Sequence, residues 1–403
     1  MMNRRNFLKS TAAITGGTFL GGVAGNTVSE GEAAETKQIV RYNPLGKTGL
    51  KMSDIAFGCG KLPSPSLAER AFDMGINYYD TAPDYGSSEI HLGKFLQKRK
   101  ADRSKIIIAS KICSFEPYPG HLPVGSSVQD IIKAVDGSLE RLKTDYIDFL
   151  FVHAIAENKD DQKRIDDHNI PEAFNKLKKA GKIRFTAFSS HGPHNMENSV
   201  SKMIDTRHFD IMMVAYNFMK FPNLMPEIKK AHDKGMGIIA MKTLAGAEHT
   251  KLDQFKMDGQ SFEQAALRWA TGNKLLSGAV ITIKNVQQLR NFVAVSGTQL
   301  SSNDQNILDY YAKTFDKKVC RIGCGECLDS CREGVNIAEI LRYNIYFENY
   351  EGHEDVAMNK YNALTKNAST CEDCETASCE KGCPFGLPVR HLLSKAHYNM
   401  VLT

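Results

Sequence analysis

Between Ile55 and Val295 the chain repeats one pattern eight times: a short apolar run, then a longer stretch whose apolar residues recur at three- and four-residue spacing. The runs are Ile55–Phe57, Ile76–Tyr79, Ile106–Ser110, Tyr146–Val152, Ile183–Phe188, Ile211–Ala215, Gly237–Met241 and Ala279–Ile283. The stretches that follow them are Leu67–Met74, Glu89–Gln97, Val128–Leu142, Pro171–Lys179, Glu197–Asp205, Leu224–Lys234, Ser261–Thr271 and Val286–Val295. Largely apolar strands alternating with helices imply a parallel sheet covered by helices on its outer face. Eight such units suit a closed barrel better than an open doubly wound sheet. No Gly-x-Gly-x-x-Gly follows any strand, which weakens the dinucleotide-sheet alternative. The expected fold class is therefore α/β, a (β/α)8 TIM barrel, with its chemistry at the C-terminal ends of the strands.

The barrel does not use up the chain. At 403 residues there is more sequence than one ordinary core needs. The cysteines mark the remainder: of ten, only Cys59 and Cys113 precede Cys320, and the other eight fall between Cys320 and Cys383. The expected division is a signal and linker over 1–36, the barrel over 37–300 and a cysteine-rich α-helical domain over 301–403. The net charge is only +5 and the basic residues are spread along the chain, so a nucleic-acid surface is not expected. No apolar run approaches the ~20 residues of a membrane span, so no integral membrane span is expected.

Asn3-Arg4-Arg5-Asn6-Phe7-Leu8-Lys9 precedes a mildly apolar, Gly-rich stretch from Thr11 to Gly25. A basic start followed by a short apolar region fits a secretory signal. The paired arginines before Phe-Leu-Lys resemble the twin-arginine type, with cleavage after Gly25 or Ala34 equally tolerable. Export to the periplasm is the expectation. That route carries folded proteins, so thiolates could travel already ligated instead of meeting an oxidising space as naked thiols.

Three adjacent strands bring chemistry to one mouth. The second ends in Asp80, within Asp80-Thr-Ala-Pro-Asp-Tyr85-Gly; the third ends in Lys111; the fourth ends in His153. A carbonyl reduced by hydride gains charge on its oxygen and needs a proton near neutral pH. A free phenol, with a pKa near ~10, is a sluggish acid. A neighbouring Lys111 ammonium stabilises the phenolate and makes Tyr85 a better donor. Asp80 would hold that ammonium charged and in place, and His153 would hydrogen-bond the carbonyl oxygen.

The Asp-Thr-Ala-x-x-Tyr-Gly stretch and the Ser138-Leu-Glu-Arg-Leu…Asp148…His153 stretch resemble the aldo/keto reductase family, over roughly Val40 to Val295. The resemblance implies a catalytic tetrad of Asp80, Tyr85, Lys111 and His153 acting on a small carbonyl or alcohol. It also implies a bound NADP(H) or NAD(H). The family's Ser-Asn pair for the carboxamide corresponds to Ser189 and Ser190, followed by His191, and the aromatic that stacks on the nicotinamide to Tyr216. Lys242-Thr243-Leu244 stands where the family has a Ser-x-Leu turn near the pyrophosphate, so Lys242 and Leu244 are the contacts implied there. Lys284 and Gln288 keep the spacing that grips the adenosine phosphate. The chain departs from the pattern at Met213, where the family has Gln, at Phe292, where it has Asn, and in lacking Pro-Gly after the eighth strand.

The late cysteines read Cys320-x3-Cys324-x2-Cys327-x3-Cys331 and Cys371-x2-Cys374-x4-Cys379-x3-Cys383-Pro384. Each is a ferredoxin run with one spacer lengthened. Helical stretches at Ile337–Tyr346, Ala357–Leu364 and Leu387–Tyr398 flank them, resembling the α-helical ferredoxin type. Two 4Fe–4S clusters are expected. Crossed ligation puts Cys320, Cys324, Cys327 and Cys383 on one and Cys371, Cys374, Cys379 and Cys331 on the other; assignment by group, two zinc sites and disulfides stay open. Cys59 and Cys113 read as small core residues, with Cys113 near enough to Lys111 to line the pocket. Two functions follow. One is an exported oxidoreductase interconverting a carbonyl and an alcohol, with electrons passed through the clusters to an unknown redox partner. The other is an iron–sulfur electron-transfer or binding protein whose barrel no longer performs nicotinamide chemistry.

Overall fold

The computed structural model describes residues 37–401 except 117–119, 157–158, 220–222, 246–251, 258 and 350–353. The expected signal segment, 1–36, lies outside the described residues. An antiparallel hairpin, β1 (Tyr42–Pro44) and β2 (Lys51–Ser53), opens the described chain. Eight parallel strands follow: β3 (Ile55–Gly58), β4 (Tyr78–Asp80), β5 (Ile107–Lys111), β6 (Ile147–Ile155), β7 (Ile183–Ser190), β8 (Ile211–Ala215), β9 (Gly237–Met241) and β10 (Gly278–Thr282). They pair in chain order, and β10 closes on β3 to complete the barrel. The helices between and after them are α1 (Pro65–Asp73), α2 (Ser88–Lys98), α3 (Val128–Leu142), α4 (Asn169–Lys179), α5 (Met196–Asp205), α6 (Met225–Asp233), α7 (Phe262–Thr271) and α8 (Val286–Val293).

Alternation along each strand divides the core in two. Tyr78, Ile107, Ala109, Phe149, Phe151, Ala187, Ile211, Met213 and Ile239 fill the barrel interior, and Leu45 and Met52 of the hairpin close its N-terminal end. Their strand neighbours, among them Tyr79, Ile108, Leu150, Val152 and Phe188, face the helices. Helix α3 shows why the helices pack as they do. Its buried residues Ile131, Val135, Ser138 and Leu142 form one stripe, and its start is a capping box between Ser127 and Asp130.

Past the barrel come α9 (Ser302–Phe315), α10 (Ile337–Asn349), α11 (Glu354–Asn362), α12 (Ser378–Lys381) and α13 (Val389–Met400). The division expected at residue 300 does not follow the packing, because α9 belongs to the barrel. Its Ile307, Leu308 and Tyr311 join the helix-side core, and its capping residue Asp304 also accepts a 2.7 Å hydrogen bond from Arg268 of α7. A separate core begins beyond it: Val335, Ile337, Ile340, Leu341, Tyr361, Leu387 and Leu393 pack with Cys327, Cys371 and Cys379. This second core sits against the barrel. Gly325 approaches Pro193 so closely that a Cβ would lie 1.9 Å from the Pro193 carbonyl oxygen, and His194 Nε2 is 3.8 Å from Glu339 Oε1. No helix among the described residues is long and apolar enough to cross a membrane.

Candidate active site

Strand parity decides which side chains reach the barrel mouth. Continuing the interior series Tyr78 to Asp80, Ile107 and Ala109 to Lys111, Phe149 and Phe151 to His153, and Phe185 and Ala187 to Ser189 carries one polar residue from each strand to the top of the interior. Strand β6 runs on to Ile155, with a register irregularity after Val152, so His153 lies inside the strand instead of ending it. Tyr85 arrives from the turn between β4 and α2. That turn is held by a 2.7 Å contact between the Thr81 and Ser88 hydroxyls. Glu89 anchors it further, accepting hydrogen bonds from Ser110 Oγ at 2.6 Å and Arg141 Nε at 2.7 Å.

The four residues meet in a cavity of about 520 Å³, within the range of small-molecule sites. Lys111 Nζ donates to Asp80 Oδ1 and to the Thr81 carbonyl, both at 2.7 Å, and stands 4.7 Å from the centre of the Tyr85 ring. Tyr85 presents its edge to His153, ring centres 6.3 Å apart. Burial pushes the Asp80 carboxyl up from its ordinary value while Lys111 pulls it down. Burial, and then the charges of His121, Lys111, His191 and Lys360, push His153 well below the usual histidine range, so its imidazole is neutral at pH 7. A neutral imidazole beside a paired ammonium and a phenol can orient and protonate a carbonyl oxygen.

Ser189, Lys242, Leu244 and Lys284 also line the cavity; Ser190, Tyr216 and Gln288 do not. Ser190, one position out of phase with Ser189, faces the helix layer and donates to the Ile155 carbonyl at 2.7 Å. Tyr216 follows the inward Met213 by an odd step. It stacks on Trp269 at 4.8 Å and accepts from Asn273 Nδ2 at 3.0 Å. Gln288 folds back within α8, accepting the Lys284 N–H at 2.9 Å. His191, Thr243, Thr282, Tyr346 and Val356 line the cavity without having been expected. Tyr346 and Val356 come from α10 and α11, so the second core roofs the mouth; Lys242 Nζ stands 5.5 Å from the Tyr346 ring centre.

The residues fit a bound redox cofactor. Lys61, Lys242 and Lys284 line the cavity and could meet the charge of a phosphate, and Asp80 Oδ2 is buried with no hydrogen-bond partner among the described residues.

The eight late thiols are free and fall into two neighbourhoods. Burial raises Cys320, and its thiol neighbours Cys324, Cys327 and Cys383 add to the effect. Burial pushes Cys327 up to about 12, with Cys324, Cys383 and, more weakly, Cys379 adding to it. In the other neighbourhood burial pushes Cys371 up to about 11, with Cys331, Cys379 and Cys374 adding to it, and Cys379 is raised beside Cys331 and Cys374. No three of these sulfurs lie within 4.8 Å of one another among the described residues.

A parallel eight-stranded barrel with an acid, a phenol, an amine and an imidazole at its C-terminal mouth defines a barrel oxidoreductase. The profile of the aldo/keto reductase family matches residues 65–256. L-Galactose dehydrogenase of Arabidopsis thaliana is 29% identical over 306 residues, covering 67% of this chain and 92% of its own length. L-Glyceraldehyde 3-phosphate reductase of Escherichia coli is 23% identical over 329 residues, covering 67% and 93%. A solved Pseudomonas aeruginosa chain described as an aldo-keto reductase superposes with a TM-score of 0.52 at 26% identity, covering 64% of this chain and 96% of that one. The chain is similar to the aldo/keto reductases and is an oxidoreductase of their type.

Proposed function

We propose that this oxidoreductase interconverts a small carbonyl and its alcohol at Asp80, Tyr85, Lys111 and His153, that it holds a nicotinamide dinucleotide in the same cavity, and that it is exported by the twin-arginine route with two 4Fe–4S clusters in its second core. The observation that carries the reaction is the Lys111 ammonium, fixed by Asp80 and poised over the Tyr85 ring. The nicotinamide would supply or accept the hydride. Tyr85 delivers the proton to the substrate oxygen, Lys111 stabilises the phenolate left behind, and neutral His153 orients that oxygen. Ser189 lies on the interior face of β7, where the carboxamide contact is expected, and Lys242 and Lys284 supply positive charge for phosphates.

The cluster reading rests on the thiols. Two quartets, Cys320, Cys324, Cys327 and Cys383 against Cys371, Cys374, Cys379 and Cys331, favour crossed ligation. Among the described residues no three of these sulfurs gather at the spacing of about 3.8 Å that tetrahedral zinc with bonds of about 2.3 Å needs, whereas a cubic cluster holds its thiolates farther apart. Buried thiols that repel one another when ionised also suit a cationic iron core.

Tyr85→Phe tests the reaction. Carbonyl-dependent oxidation of NADPH should fall by about 10²–10⁴-fold, the usual weight of a positioned acid, and turnover equal to the parent enzyme would overturn the reading. The outward turn of Ser190, Tyr216 and Gln288 favours a second reading, an electron-transfer protein with no nicotinamide in its barrel. Fluorescence of NADPH titrated with the protein separates the two.

A further inference from the structure

Beside the tetrad, and sharing only His153 with it, lies a second cluster of side chains. Asp84, Cys113, His121 and His153 each offer a ligand atom, and the four atoms all lie within 4.8 Å of one another. We propose that they form a closed site for one divalent transition-metal ion, best suited to zinc. Thiolate, two imidazoles and a carboxylate are a ligand set zinc takes readily, and four protein ligands leave no open position, so the ion holds structure and does not activate water. Zinc bonds of about 2.0–2.3 Å separate ligand atoms by about 3.3–3.8 Å, so only a small contraction is needed.

One feature points to a ligand, and the loop geometry brings the donors together. Asp84 is 3% exposed, and its Oδ1 is buried with no partner among the described residues, although Oδ2 accepts the Gly120 N–H at 3.0 Å. A buried carboxylate oxygen left unsatisfied is costly unless something completes it. The loop is also shaped to deliver His121. Cys113 and His121 form an antiparallel bridge, and Ser114 donates its N–H to the Gly120 carbonyl at 2.7 Å. A Cβ on Gly120 would meet Asp84 Cβ and the Ser114 carbonyl oxygen at 2.9 Å, so only glycine lets the loop come this close. The result sets the His121 and His153 ring centres 4.4 Å apart and Cys113 Sγ 3.7 Å from His153 Nδ1.

The ion would do a specific job. Bound at Nδ1, it leaves the imidazole proton on Nε2, fixing His153 as a donor toward the cavity. It would also clamp the loop after β5 to the turn after β4. The site stands whether or not the barrel performs hydride chemistry.

The test uses the full chain, isolated without oxygen and with its iron intact, equilibrated with Zn²⁺ alone. One zinc per chain is expected, and its X-ray absorption should show one sulfur at about 2.3 Å and three nitrogen or oxygen ligands at about 2.0–2.1 Å. His121→Asn and Cys113→Ser should each weaken zinc binding at least ~10-fold, since even outer-shell losses cost that much. His121→Asn keeps the backbone bridge, and Asp84→Asn keeps an acceptor for Gly120, so weakened binding by either folded variant supports the site if Cys113→Ser does not fold. An all-sulfur shell, no zinc beyond the iron, or parental affinity in His121→Asn overturns the proposal.

Discussion

Lys111 and Asp80 form an ion pair that is almost wholly buried, the lysine side chain 2% exposed and the aspartate 7%. A pair of that kind matters most when half of it is removed, because the remaining charge stays in a dry site. Lys111→Met should therefore destabilise the barrel by about 3–5 kcal/mol, read in urea from the fluorescence of the single tryptophan, Trp269. Adding Asp80→Asn should recover part of the loss; strictly additive effects would show that the two do not depend on each other. Asp80, Lys111 and His153 were legible in the sequence because each continues the interior parity of its own strand. Ser190 and Tyr216 were misplaced by following motif position without that parity. The meeting of Asp84 and His121 was not legible, because they are far apart in the chain and come together where the Gly120 N–H donates to Asp84. No local spacing carries that information.

The eight strand–helix units were legible because each buries its apolar face by local periodicity, and the boundaries shifted by only a few residues, most at the end of β6. The hairpin β1–β2 was not, since three-residue strands are too short to show a pattern. The expected boundary at residue 300 puts the α9 segment with the cysteines, whereas its burial against α7 depends on a non-local contact. Between neighbouring helices the ties are electrostatic as well as apolar. Asp205 of α5 accepts from Lys230 at 2.7 Å and, just beyond the end of α6, Lys234 at 2.6 Å, and these bonds lower its carboxyl from 3.8 to about 2. A carboxyl lowered on folding contributes stability that is complete above its unfolded value and lost as the pH falls through its folded value. The Asp205 contribution should fade between about pH 4 and pH 2. Asp205→Asn should flatten that part of the melting-temperature profile by a small amount, the pair being exposed. An unchanged profile would mean that the tie holds nothing.

The presence of a second region was legible from the bunching of eight cysteines, but its seat on the barrel was not, because the contact joins loops with no repeating pattern. Gly325 packs tightly against the Pro193 carbonyl. Gly325→Ala should push the second core off the 193–195 loop, seen as faster amide exchange in both segments while the barrel strands stay protected; unchanged exchange would mean the contact bears no load. Tyr346 and Val356 reach from that region into the catalytic cavity. A shortened enzyme cut at residue 300 would lose α9 from its core and stand with its pocket uncovered, so whatever substrates it accepted would describe a different molecule. Grafting tails between such enzymes, rather than redesigning their strands, is the experiment that would move substrate preference from one to another.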